Sequence, residues 1–319
     1  MEKDKIPEAK RAIAGECGPW TAHNIRLGEG LYTIDDKLNY DTVKLRRVMQ
    51  VLSDLSCGEF GALKILDLGS FEGLYTIEAG LRGVTYAMGV EARSANLKKA
   101  EFVKGALDIK NINFVRDDVR NISVKKYGKF DVVLCLGLLY HIDLPDIFGL
   151  LENIYDLSTR FLVIDTHIAL NPDTRVEHRG RSYFGTYASE FRKGLSKEAK
   201  EKLLWNALDN ERSFIFSKAS LIRVIGDLGF TSVYECLAPL EHAKPKDRVT
   251  LVAIRGKRAG LLTYPAINGM DEESVKAAVL RKELPKFARE GAAIAALKAF
   301  ARALVTFLKT ITGRYYRER

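Results

Sequence analysis

The sequence predicts an α/β fold, doubly wound around a mostly parallel seven-stranded sheet whose last strand runs antiparallel. Three observations predict it. From residue 64 onward, short apolar runs rich in β-branched residues alternate with helix-length segments, the pattern of parallel strands joined by crossover helices. A glycine-punctuated turn, "DLGSFEG", directly follows the first of these runs. The last two runs, "TSVYECL" and "RVTLVAIRG", are joined by "APLEHAKPKD", which is too short for a crossover helix and so implies antiparallel pairing.

The chain opens on "MEKDKIPEAKR", which is charged and lacks an apolar core, and no run reaches the ~20 apolar residues that span a bilayer. The four cysteines, Cys17, Cys57, Cys135 and Cys236, form no C-x-x-C pair and suit a reducing compartment, so the expected location is cytoplasmic. "DTVKLRRVMQVLSDL" places Val43, Leu45, Val48, Met49 and Leu52 at helical spacing, making residues 1–60 an N-terminal lid and extension helix. Strands follow at "KILDL", "TYAMGV", "INFV", "FDVVLCL" and "RFLVID". Helices start after Ser94 and after Asp143 and Pro145. The alternation stops at Asp165. Residues 167–213 are polar and aromatic and read as an insertion over one edge of the sheet, after which "KASLIRVIGDLGF" reads as a helix ending at Gly229. The central domain is therefore 61–256.

Residues 257–319 read as a basic helical tail. Ile294, Leu297, Ala301, Leu304, Val305, Leu308 and Ile311 share one face, with Lys298, Arg302 and Lys309 on the other. The chain has 50 basic and 41 acidic residues, and the stretch from Lys276 to Arg319 holds 11 of the basic and 3 of the acidic ones. The body is thus nearly neutral, unlike a nucleic-acid groove lined with cations. The tail suits peripheral contact with a membrane surface, dimerisation, or packing on the body.

In an open parallel sheet the ligand crevice lies beyond the carboxyl ends of the strands, and the first strand-turn-helix unit is the usual cradle. Gly69 and Gly73 allow a tight turn and a close approach to a ligand. A dinucleotide would need G-x-G-x-x-G, and Asp67 and Glu72 would repel its pyrophosphate; an aminoacyl group would accept their charge. Glu91, ending the next strand, suits two ribose hydroxyls, and Asp118 with Val119 suits an adenine ring.

In the order "DLGSFEG", "GVEAR", "RDDVRN" and "FDVVLCLGLLYHIDLP", the chain resembles the class I S-adenosylmethionine (SAM)-dependent methyltransferases over Lys64 to Gly256. The resemblance implies a Rossmann-like sheet, SAM as cofactor, and a cofactor site at Asp67, Gly69, Ser70, Gly73, Glu91, Ala92, Asp118, Val119, Leu136 and Gly137. One departure is Phe71, which stands where related turns have a middle glycine. "PWTAHNIRLGEGLYTI", "LGLLYHIDLP" and "SFIFSKASLIRVIGDLGF" further resemble the subgroup that includes the transfer-RNA wobble-uridine carboxymethyltransferases, although the neutral body argues against an RNA substrate.

Transfer to a hydroxyl needs alignment and a base. Of His23, His141, His167, His178 and His242, two follow strand ends: His141 and His167, the latter beside Asp165. His167 is the preferred base, with His141 as a catalytic or loop-fixing alternative. Asp165, His167 and His178 do not have the spacing of a metal site, so none is expected. Trp20 and His23 suit a lid over substrate or cofactor, and Arg181, Tyr183 and Tyr187, with Glu177 and Arg179, suit a polar, hydroxyl-bearing acceptor. The expected activity is methyl transfer by direct displacement, to an oxygen of a small polar or glycan-like metabolite. Transfer-RNA modification and a non-catalytic SAM-binding or interaction protein are the alternatives.

Overall fold

The computed structural model describes residues 2–34, 42–192, 194–240 and 245–257. Helix α1 (Ile6–Cys17) precedes a short ribbon, β1 (Arg26–Gly28) and β2 (Leu31–Tyr32), and α2 (Thr42–Leu55). The main alternation runs β3 (Lys64–Leu68), α3 (Leu74–Leu81), β4 (Tyr86–Glu91), α4 (Ser94–Ala106), β5 (Ile112–Arg116), α5 (Val124–Tyr127), β6 (Phe130–Leu136), α6 (Asp146–Leu157) and β7 (Ser158–His167). Then come β8 (Thr174–His178), β9 (Arg181–Ser189), α7 (Lys197–Lys202), β10 (Arg212–Phe216), α8 (Lys218–Leu228), β11 (Ser232–Glu235) and β12 (Arg248–Ile254).

The seven-stranded sheet has the order β11-β12-β7-β6-β3-β4-β5. Only β12, the last of the described strands, runs antiparallel to its neighbours β7 and β11, as its short connection requires. From β3 the chain moves outward through β4 and β5, then returns to lay β6 on the other side of β3. This reversal opens a crevice at the carboxyl ends of β3 and β6.

Strand alternation divides the core. Ile65, Val132, Leu134, Val163 and Val252 face one layer with Leu52 of α2, Ile77 of α3 and Val103 of α4. Leu66, Val133, Cys135, Leu162 and Leu251 face the other with Leu151 of α6 and Val224 of α8. Both faces are covered, which is why the strands read as continuous apolar runs rather than alternating ones.

The extension helix forms as expected, with Val48, Met49 and Leu52 buried. Helix α1, which has no broad apolar stripe in sequence, packs against α4 and buries only Ile6 fully.

The insertion departs from expectation. It folds as a three-stranded antiparallel sheet, β10-β9-β8, extending past residue 213 to Phe216. Instead of lying over a sheet edge, it sends Tyr183, Phe214 and Phe216 into the core cluster of α6 and α8, and Phe214 N donates to Ile142 O at 2.9 Å beyond β6. Tyr183, expected to face an acceptor, is therefore core. No helix among the described residues is long and apolar enough to cross a membrane. The basic tail and His242 lie outside the described residues.

Candidate active site

A cleft of about 500 Å³ lies at the carboxyl ends of β3, β4 and β6, within the size range of small-molecule sites. Its walls are the turn after β3 (Gly69, Phe71), the end of β4 (Glu91, Ala92, Arg93), the turn after β5 (Asp118, Val119, Arg120) and the end of β6 (Leu136 to Leu138, Tyr140, His141). Two remote segments close it: Thr21 to His23, and Leu204 to Leu208 of the insertion.

Of the cofactor residues expected from sequence, Gly69, Glu91, Ala92, Asp118, Val119, Leu136 and Gly137 line this cleft. Gly69 has φ +65°, and a Cβ there would lie 3.1 Å from Leu138 Cδ1, so its bare backbone lets two cleft turns approach. Phe71, at the position of the missing glycine, itself has φ +51°. The backbone thus keeps a left-handed shape that glycine would adopt freely, and Phe71 N donates to Glu91 Oε2 at 3.0 Å to hold it.

Asp67, Ser70 and Gly73 stand behind the cleft wall. Asp67 is buried and accepts from Thr76 Oγ1 at 2.8 Å. Ser70 is buried and its backbone N donates to Val90 O. A Cβ on Gly73 would lie 2.9 Å from both Ala100 Cβ and Phe114 Cζ, so this glycine serves packing on α4 and β5. Glu72 is also internal. Its Oε1 accepts from Thr21 N at 2.8 Å and from Lys99 Nζ at 3.1 Å, and its Oε2 accepts from Ala22 N at 3.2 Å and His23 N at 3.0 Å. The charge argument against a pyrophosphate is therefore corrected: neither Asp67 nor Glu72 presents its carboxylate to the cleft.

Burial pushes the Asp67 carboxyl up to about 7, against the opposing hydrogen bond from Thr76. In the unfolded chain it titrates near ~3.9. The folded state holds a proton that the unfolded chain releases, so the group's contribution is complete below about pH 4 and is lost as pH rises through about 7. Asp67→Asn keeps an oxygen for Thr76. It is expected to stabilise the protein by roughly 2–4 kcal/mol at pH 8, with a narrower gap at pH 5, as read by thermal denaturation at both values.

Glu91 is the cleft's own carboxylate. Burial raises its pKa, opposed by hydrogen bonds from the Arg93 and Phe71 amides, with Arg93 N at 2.8 Å from Oε1. Each oxygen retains a lone pair that these amides do not use. Asp118, by contrast, is held by the Arg120 side chain, with Nε at 3.0 and 2.9 Å from its two oxygens.

The insertion turn is anchored by Arg93, whose Nη2 donates to the carbonyls of Leu203, Asn206 and Ala207 at 3.1, 3.0 and 2.9 Å. Trp205 is left 63% exposed with its ring 5.5 Å from Phe71. None of these insertion residues was legible as cleft lining, because the turn has no periodicity. An exposed tryptophan in a polar stretch was its one signal.

His141 lines the cleft, with Nδ1 at 3.0 and 3.1 Å from the Glu190 oxygens. His167 stands outside the lining: its Nδ1 pairs with Asp247 Oδ2 at 2.9 Å and its ring packs edge-on against Tyr140 at 4.7 Å. Asp165 is taken up by Arg248 and Thr250, and His178 by Glu152. Among the described residues no metal-binding cluster gathers. His23 lines the cleft, whereas Trp20 is buried against Phe102 and Lys99. Arg181, Tyr183 and Tyr187 lie away from the cleft: Arg181 and Tyr183 pair with Asp227, and Tyr187 packs on Phe214 beneath Arg212.

Residues 65–159 match the family model described as "Methyltransferase domain". This segment is a methyltransferase domain. It carries the glycine turn, Glu91, Asp118 and Gly137. No curated protein matches the chain. Among solved structures, it is similar to the N-terminal domain of EvdMO1 crystallised in the presence of SAH and D-fucose, at 23% identity and TM-score 0.60, covering 81% of this chain and 98% of that one. Against EvdMO1 itself the values are 21% and 0.52, over 78% of this chain and 47% of the other, so the chain spans about half of that protein. These likenesses extend the fold of the methyltransferase domain to most of the chain.

Proposed function

We propose that this chain is a SAM-dependent methyltransferase acting by direct displacement on an oxygen of a small polar or glycan-like molecule. The observation that carries the reading is the continuous wall from Val119 through Glu91 and Gly69 to Gly137 and His141. SAM supplies an electrophilic methyl group. The site fits it: Glu91 offers acceptors to ribose hydroxyls, Val119 an apolar surface to adenine, the bare backbone of Gly69 leaves room where a Cβ would crowd Leu138, and Gly137 takes a φ of +78° that glycine adopts freely. EvdMO1's N-terminal domain was crystallised with SAH and D-fucose, which supports both the cofactor and a sugar-like acceptor.

His141 is the favoured base. A hydroxyl becomes a better nucleophile as its proton leaves, and among the described residues His141 is the histidine that combines cleft exposure with a carboxylate partner. Of the cations at the cleft, Arg93, Arg120 and Arg248 are engaged by carbonyls, Asp118 and Asp165, and Lys44 lies over the Tyr75 ring, an arrangement that does not favour an RNA acceptor. Titration with SAM, followed by assay of demethylated cofactor with glycoside acceptors, tests the reading. His141→Ala is expected to lower turnover about 100-fold and His167→Ala by less than about tenfold. No SAM binding, or the reverse ranking, would overturn it.

A further inference from the structure

Glu190 follows β9, 49 positions from His141 in the chain, yet its carboxylate is 7% exposed and joins two parts of the cleft. Its two oxygens meet His141 Nδ1, and Oε2 also accepts from Ala207 N at 2.8 Å. Its backbone carbonyl accepts from Asn206 Nδ2. One residue therefore holds the imidazole on the β6 side and the turn that carries Trp205 on the other.

We infer that Glu190 is a positioning residue that fixes the tautomer of His141 and couples it to closure of the 204–208 turn over the cleft. The inference rests on His141 as the base. Its chemistry follows from donor and acceptor counting. An ionised carboxylate only accepts, so the neutral imidazole facing it must carry its proton on Nδ1. Nε2 is then the lone-pair nitrogen, and it makes no hydrogen bond among the described residues. As the acceptor oxygen bonds the methyl carbon, the methyl–sulfur bond of the sulfonium would break with its electron pair left on a neutral thioether, the hydroxyl proton would pass to Nε2, and the resulting imidazolium would be balanced by Glu190. Burial raises the Glu190 carboxyl, but hydrogen bonding to His141 and the Ala207 amide outweighs it and holds the group below the usual carboxylate range. It therefore stays ionised at neutral pH. His23 has the opposite assignment: its Nδ1 accepts from Leu74 N at 3.2 Å, so the neutral ring carries its proton on Nε2 and offers no lone pair there.

The coupling matters because the turn has no helix or strand of its own. Arg93 grips its carbonyls from the β4 side, and Glu190 grips one amide from the β9 side. With the turn open, Glu190 would lose the Ala207 amide while keeping His141; with it closed, the base is held from behind by a carboxylate that the turn also fixes.

The test uses the full chain. Long-range ¹H–¹⁵N spectra of the histidine rings, recorded where they are neutral, should show His141 protonated on Nδ1. In Glu190→Gln, whose amide can donate to Nδ1, the population should move toward the Nε2-protonated form, and Glu190→Asp should retain the wild-type form. Exchange at the Ala207 amide should accelerate about tenfold or more in Glu190→Ala. An Nε2-protonated His141 in the wild type, a tautomer indifferent to Glu190→Gln, or unchanged Ala207 exchange would each overturn the inference. If Glu190→Gln fails to fold, the wild-type spectrum and Glu190→Asp decide it. SAM titration separates the two readings: absent binding removes the proposed function while the tautomer result stands by itself.

Discussion

Glu91→Ala is expected to weaken SAM binding by about 100-fold or more in titration calorimetry, the largest effect of any single cleft residue. Two hydrogen bonds from hydroxyls to an ionised carboxylate are worth roughly 1.5–3 kcal/mol each, and about 2.7 kcal/mol corresponds to that factor. The wall of the site changes as well. Glu91 holds the Phe71 amide at 3.0 Å and the Arg93 amide at 2.8 Å, so its removal frees the left-handed turn and the residue that anchors the insertion. Glu91→Gln, which keeps one acceptor oxygen and loses the charge, should fall between the two. A melting temperature measured alongside distinguishes loss of the ligand contact from loss of the fold. Wild-type affinity in Glu91→Ala would remove the end of β4 from the cofactor site.

How much of this was legible depends on whether a feature is local. Strands β3, β4, β6 and β7 were legible because burial on both faces writes them as unbroken apolar runs bounded by turns. The reversal of β12 was legible from the length of one connection. Gly69, Glu91, Val119 and Gly137 were legible because each ends a strand or follows one, where an open sheet puts its ligand. The direction in which a side chain leaves such a turn was not. Asp67 and Gly69 are two residues apart, yet one is buried against Thr76 while the other forms the cleft wall. Glu190 and Trp205 are brought to the cleft by long-range contacts with His141, Arg93 and Phe71 that carry no spacing rule. The aromatic insertion residues misled for the same reason: Tyr183 is buried in the core cluster and Tyr187 packs against it, and composition does not say which face of a short strand is covered.

Glu72→Ala is expected to destabilise the protein by about 3–5 kcal/mol in urea denaturation, the cost typical of breaking a buried ion pair from one side. Neither Glu72 nor Lys99 exposes any side chain, and their 3.1 Å contact is only part of the arrangement. The same carboxylate accepts from the amides of Thr21, Ala22 and His23, so its loss leaves three backbone donors without an acceptor. Lys99 keeps the Pro19 carbonyl at 2.6 Å and the Trp20 ring at 5.9 Å, neither of which neutralises its charge. Removing both charges in Glu72→Ala/Lys99→Met should recover part of the loss and not all of it, because the unpaired ammonium disappears while the orphaned amides remain. Full recovery would mean that the amides contribute nothing. No loss in the single variant would mean that the N-terminal segment is not clamped by Glu72. The clamp also bears on the cleft, since Thr21, Ala22 and His23 form its wall and all three of their backbone amides are held by this carboxylate. SAM affinity should therefore fall in Glu72→Ala even under conditions where the domain stays folded. Glu72 thus acts on the cleft from behind, through the backbone of the wall it holds, whereas Glu91 is itself part of the lining.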